Sequence, residues 1–250
     1  VKPALHDTTI PDSTVSAKER EFKHLAGKFL VLDGPDGCGK TTQQGLLAKR
    51  LEDSGLDVVC GCDPGGTEIG DRIRSVLLDF DLSVMDATCE TLLFMASRAQ
   101  LCSEVIRPAL EKGKTVLCDR FVSATCAYQG AVGFDIAKVI ELARLATGDL
   151  WPHLTMIIDI DMDAGFARIG RKFTHAQKKI FRDVGQRTLF HDVLHDAMEA
   201  RMVDFHQRVH NNFKTLHEYY PSPLIYVDGS NSVEAVQESI AQAVRSHVDP

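Results

Sequence analysis

Eight consecutive residues carry the strongest chemical signal in the chain. Gly34-Pro35-Asp36-Gly37-Cys38-Gly39-Lys40-Thr41 matches G-x-x-x-x-G-K-[ST] at every fixed position, and chemistry accounts for each residue type. The glycines let backbone N–H groups turn inward around a phosphate, and a helix opening after Gly39 adds the positive end of its dipole. The Lys40 ammonium can reach the β- and γ-phosphates of a nucleotide, and the Thr41 hydroxyl can hold Mg²⁺. A second signal is Asp119-Arg120, at the end of the apolar run Val116-Leu117-Cys118. A carboxylate at the C-terminal end of a parallel strand lies on the ligand side of the sheet, where it can hold Mg²⁺ directly or through water. Arg120 beside it can grip an anionic acceptor through a bidentate fork. The pair also separates classes. A GTPase would carry Asp-x-x-Gly here and Asn-Lys-x-Asp later, whereas Asp119 is followed by Arg120, Phe121 and Val122 and the second motif does not occur. A kinase acting on a small anionic acceptor fits better. A third pair, Phe94 and Arg98, is four residues apart and shares one side of a helix. A ring to stack and a donor to read an edge suit a nucleobase.

These residues must be held by a sheet. Five short runs rich in β-branched residues recur, at 29–32, 57–60, 115–118, 155–160 and 224–227. They are continuous rather than alternating, as in strands covered on both faces. Helical patterns separate them. In the longest, Leu92, Met95, Ala96, Ala99, Cys102, Ile106 and Ala109 recur at three- and four-residue steps, which predicts an apolar stripe facing the core. By that pattern Phe94 and Arg98 lie off the stripe. Strands alternating with helices predict an α/β fold: a five-stranded parallel sheet with helices on both faces, joined by right-handed crossovers. More than sixty residues separate the fourth and fifth runs, dense in Arg, Lys and His from Phe166 to His217. That length predicts a helical lid with an insertion, at about 163–198, and a long return helix. Residues 1–27 show no sustained period and read as a mobile leader, with a short helix possible near their end. The kinase domain is expected to run from 28 to 250.

Composition sets outer bounds. The 250 residues are 44% apolar and 25% charged with a formal net charge of −7, so a phosphate site must be built locally and neither nucleic acid nor an anionic membrane is an expected partner. No apolar run reaches the ~18 residues a membrane helix needs. The seven cysteines are scattered, and Cys60-Gly61-Cys62 is too tight and isolated for a metal site, so free thiols in a reducing cytoplasm are expected.

Four stretches, taken in order, resemble the bacterial type of thymidylate kinase over about Lys28 to Val244. They are Asp33 through Thr42; Pro64-Gly65-Gly66-Thr67 with Gly70 and Ile73-Arg74; Leu92 through Gln100; and Asp119-Arg120-Phe121 with Ser123, Tyr128, Gln129 and Gly130. The resemblance implies a P-loop nucleoside monophosphate kinase fold, ATP as donor, Mg²⁺, dTMP as acceptor, dTDP as product and a homodimer. Carried over position by position, Gly34, Asp36, Gly37, Cys38, Gly39, Lys40, Thr41 and Thr42 hold ATP, with Thr41 and Asp119 at the metal. Asp36 approaches the sugar 3′-hydroxyl and the metal region. Arg74 and Arg120 hold the acceptor phosphate. Phe94 stacks on thymine, Arg98 bonds its carbonyl edge, Thr125 and Gln129 line the base pocket, and Tyr128 packs where a 2′-hydroxyl would project. Lys40, Asp36, Arg120 and Arg171 form the expected catalytic set.

The chain departs from the family pattern in two places. The usual T-R-E-P-G-G reads Gly61-Cys62-Asp63-Pro64-Gly65-Gly66, which removes an arginine and shortens a glutamate. The lid signature D-R-x-E reads Asp196-Ala197-Met198-Glu199, preceded by a basic insertion that includes Arg171, Lys172, Lys178, Lys179, Arg182 and Arg187. The phosphate loop has no arginine, so a lid cation is expected to neutralise charge in the transition state, with Arg168, Arg171 and Arg182 as candidates and Arg171 favoured. Two other functions stay open: a kinase for another nucleoside monophosphate or a deoxynucleoside, and a nucleotide-binding regulatory paralogue.

Overall fold

The computed structural model describes residues 21–79, 85–168 and 203–248. Five strands form one parallel sheet: β1 (Phe29–Asp33), β2 (Val58–Cys62), β3 (Thr115–Asp119), β4 (Leu154–Asp159) and β5 (Leu224–Asp228). Their order across the sheet is β2-β3-β1-β4-β5. The expected runs are all strands, with boundaries moved by one or two residues. β1 sits at the centre, with Leu32 opposite Asp119 of β3 and Asp33 opposite Ile157 of β4.

Among the described residues the helices around the sheet are α1 (Lys40–Asp53), α2 (Glu68–Leu77), α3 (Ala87–Leu101), α4 (Arg107–Glu111), α5 (Val122–Ala131), α6 (Ile136–Thr147), α7 (Val203–Thr215) and α8 (Val233–His247), with a further helical segment at 162–168. One π-helical turn, Cys102–Ile106, joins α3 to α4. Local chemistry sets the helix starts. Thr67, Asp86, Asp135 and Ser232 each accept a backbone N–H of the first turn that follows.

Alternation along the strands divides the core in two. Phe29 and Val31 of β1, with Val116 and Cys118 of β3, meet α3, α5, α6 and α7 on one face. Leu30, Leu32 and Leu117 meet Leu47 and Leu51 of α1 and Ile240 and Val244 of α8 on the other.

Three expectations need correction. Coverage on both faces holds for β1, β3 and β4, but β2 and β5 are partly exposed because they are the edges of the sheet. On α3, Leu92 and Ala96 face outward while Phe94 and Arg98 are buried. An apolar count cannot anticipate this, because Arg98 enters the interior through a buried ionic partner. Third, the segment expected to be a leader does not run free to residue 27. Phe22 and Leu25 are fully buried in the second core cluster, and Glu21 pairs with Arg50 of α1 and Arg245 of α8. Residues 1–20 and the lid region 169–202, including Arg171 and Arg182, lie outside the described residues.

Candidate active site

The phosphate loop joins β1 to α1. Gly39 precedes the helix at φ +96°, a left-handed conformation that opens the first turn of α1 without steric cost. At Gly37 a Cβ would come within 2.2 Å of the Gly165 carbonyl oxygen, so only glycine lets the loop pass beneath the segment that follows β4. The Lys40 ammonium is folded into the loop, donating to the carbonyls of Gly34 (3.0 Å) and Pro35 (2.9 Å), with the Cys38 sulfur 3.6 Å away. Burial pushes the Cys38 thiol up, so it stays protonated beside Lys40. Thr41 Oγ1 donates to Asp119 Oδ2 at 2.8 Å. Thr42 follows, exposed in the first turn of α1. The Thr41 and Asp119 oxygens are hard donors at the mouth of the loop and fit Mg²⁺. Among the described residues no group of three or more His, Cys, Asp or Glu could hold a metal alone, so an ion here would complete its shell with phosphate oxygens and water.

Beside the loop opens a cleft of ≈ 500 Å³, open solvent included. At the loop end it is lined by Asp36, Arg120 and Tyr128, at its far end by Phe94, Arg98, Thr125 and Gln129, and along its side by Arg74. The eight expected acceptor residues therefore share one cavity and touch the phosphate loop through Asp36.

Arg120 organises the loop end. It holds φ +68°, an uncommon conformation for a residue with a side chain and one that gathers at functional sites. Its Nη1 donates to Asp33 Oδ1 and the Gly34 carbonyl, each at 3.3 Å. Its Nη2 donates to Asp36 Oδ1 (2.5 Å) and Tyr128 Oη (3.1 Å). Burial pushes the Asp36 carboxyl up, but Arg120, Lys40 and the Tyr128 hydroxyl outweigh it and hold the group below its ordinary range. Asp33 is fully buried, and burial pushes its carboxyl up despite Arg120, Lys40 and the bond from Ser123.

At the far end Arg98 is buried and paired with Asp63 (Nε to Oδ2, 2.5 Å). Gln129 contributes something different: both of its amide atoms are buried without a partner while it lines the cleft. Arg74 donates to the Pro64 carbonyl at 2.7 Å. Arg168 donates to the Gly229 carbonyl at 3.0 Å, which places it near the end of β5.

Sequence reasoning met Asp33, Asp63 and Ser123 within its motifs but gave none of them a role. Asp33 had a readable signal, since it ends the strand beside β3 just as Asp119 ends β3. The roles of Asp63 and Ser123 could not be read, because a carboxylate behind Arg98 and a hydroxyl on Asp33 have no fixed spacing from their partners.

Comparison with known proteins agrees with this geometry. The thymidylate kinase family profile matches residues 32–240. The chain is 43% identical over 220 residues to the thymidylate kinase of Pelobacter propionicus, covering 87% of this chain and 94% of that one. It is 41% identical over 221 residues to that of Roseiflexus castenholzii, covering 88% and 93%. It is 39% identical over 217 residues to that of an Exiguobacterium species, covering 86% and 93%. With the loop, the cleft and this coverage together, the chain belongs to the thymidylate kinase family.

Proposed function

We propose that the chain transfers the γ-phosphate of ATP to dTMP, giving dTDP, with Mg²⁺ at Thr41 and Asp119. The observation that carries this reading is the cleft itself. It joins the phosphate loop through Asp36 and ends on the unpaired, buried Gln129 amide. Buried polar atoms are rarely left unpaired, and a base edge would pair them. Phe94 supplies the stacking ring, Arg98 a donor and Thr125 a wall of the same pocket. Asp36 and Tyr128 face the sugar, and Arg74 and Arg120 face the acceptor phosphate. Catalysis rests on positioning and charge neutralisation, because an ionised phosphate acceptor needs no strong base. Mg²⁺, when bound, offsets charge on the transferring phosphoryl group.

The cation that completes the transition state is proposed to be Arg171, supplied by the basic insertion. Arg168 is engaged at Gly229, which argues for a residue further along. The setting is proposed to be cytoplasmic, in keeping with seven free cysteines. No helix among the described residues is long and apolar enough to cross a membrane. A homodimer is also proposed. It is supported by exposed apolar side chains on three helices that pack in a row: Ile69 and Val76 on α2, Leu92 on α3 and Leu145 on α6.

A coupled ADP-release assay over a panel of nucleoside monophosphates tests the acceptor. The expected order is dTMP first, dUMP weaker, and AMP, GMP and CMP near background. One methyl group in an apolar pocket is worth only about 1–3 kcal/mol, so the margin over dUMP is modest. Faster turnover of AMP or GMP than of dTMP overturns the reading.

A further inference from the structure

Arg98 brings a full charge to the end of the cleft where a neutral base is to be read. Left loose, that charge would compete with Arg74 and Arg120 for the acceptor phosphate. Its surroundings prevent this. The Arg98 side chain is 1% exposed and that of Asp63 0%. Nε donates to Asp63, Nη2 to Thr125 Oγ1 (2.8 Å) and the Phe121 carbonyl (3.1 Å), and Nη1 to the Met95 sulfur (3.2 Å). The Phe121 ring lies 5.3 Å from the guanidinium carbon. A guanidinium has five N–H donors, so these bonds leave one, on Nη1, in a fixed direction.

Asp63 is the only carboxyl among these partners, pushed up by burial and pulled back by the Arg98 guanidinium, and it stands at the head of a turn that holds residues at the far end and along the side of the cleft. Its own N–H donates to the Asp119 carbonyl of β3 at 3.0 Å. The next residue, Pro64, holds Arg74 through its carbonyl. The Gly65 N–H donates to Ser97 Oγ at 3.0 Å, one position before Arg98 on α3. The arginine proposed for the phosphate and the one proposed for the base are thus both referenced to turn 63–66.

We propose that Asp63 is the positioning residue for Arg98, and that turn 63–66 fixes the separation between the base-reading and phosphate-binding ends of the acceptor cleft. The inference rests on the acceptor reading above. A single aimed N–H meets a carbonyl oxygen at position 4 of a pyrimidine but opposes an amino group there. Asp63 therefore acts, through Arg98, on the choice between dTMP and dCMP.

Two substitutions separate this role from simple core packing. Asp63→Asn keeps the shape and removes the charge. Because bonds to charged groups are the strong ones, dTMP KM rises about 10- to 100-fold, and the dTMP preference over dCMP falls about tenfold or more. The KM for ATP is unchanged, and kcat stays within about threefold. Asp63→Glu keeps the charge and crowds a closed site. Its melting temperature falls, while the dTMP preference stays within about threefold of wild type. A packing role predicts the reverse order, with Asp63→Asn mild and Asp63→Glu harmful to both properties. Asp63→Asn that retains wild-type KM and preference overturns the proposal. Should that variant fail to fold, Asp63→Glu decides: preference kept supports the proposal, and preference lost in a folded protein overturns it. The wild-type acceptor panel judges the acceptor reading separately. If another nucleotide wins there, the same comparison is made with that nucleotide and its amino-for-carbonyl analogue.

Discussion

Lys40 and Arg98 are proposed to act on different halves of the reaction, and their variants should fail differently. Lys40 donates only to atoms of the phosphate loop, so Lys40→Ala should abolish measurable turnover and weaken ATP while dTMP still binds. Arg98 touches only the far end of the acceptor cleft, so Arg98→Ala should raise dTMP KM and leave ATP KM near wild type. Steady-state kinetics with each substrate varied in turn distinguishes them, and wild-type rates in both variants would remove the site map. Much of this site was legible because a phosphate loop demands fixed residue types at fixed spacing. Arg120 was legible for the same reason, as a neighbour of a strand-end carboxylate. Its four-partner setting was not, since Asp33, Asp36 and Tyr128 come from different parts of the chain and meet only after the sheet forms.

Strands were easier to read than helix faces. The central strands announce themselves as unbroken apolar runs because helices cover both of their sides. Helix α3 misled because its inner face carries Arg98, Glu90, Thr91 and Ser97, all buried, while Leu92 faces outward. Hydrophobicity alone cannot see a polar side chain whose burial is offset by a partner on another element. The segment 21–27 misled for a related reason. Its few apolar residues make no period, yet Phe22 lies beneath Arg50 and Arg245, whose guanidinium carbons are 5.6 and 5.8 Å from the ring centre. Phe22→Ala should therefore cost about 3–5 kcal/mol, the usual range for emptying a buried aromatic site. Urea unfolding measures it. A chain starting at Lys28 should be less stable than one starting at Glu21, and equal stability would show that this contact contributes nothing.

The parallel sheet with helices on both faces follows from the alternation of strands and helices, so that much of the architecture was readable before any coordinate, whereas the strand order was not. Assembly was not, because an exposed leucine carries no label for its partner. Leu145 is 82% exposed and Leu92 49%, on helices that pack against each other, and α2 adds Ile69 and Val76 beside them. Sedimentation equilibrium should find a dimer for the wild type and a monomer for Leu92→Glu, because a carboxylate buried in an apolar contact loses its hydration without gaining a partner. A monomeric wild type would leave these side chains as ordinary surface.

The four terminal N–H bonds of Arg120 have a consequence in time. Asp33, Gly34, Asp36 and Tyr128 engage all four Nη N–H groups, so a phosphate gripped by two donors of the fork must displace at least one of them. Arrival of the acceptor is then an exchange of partners rather than an encounter with open hands, and the exchange has its own rate. In stopped-flow experiments the observed rate of dTMP binding should climb with concentration and then level off at the speed with which Arg120 lets go. A rate that rises in a straight line would mean that the phosphate is caught without that release.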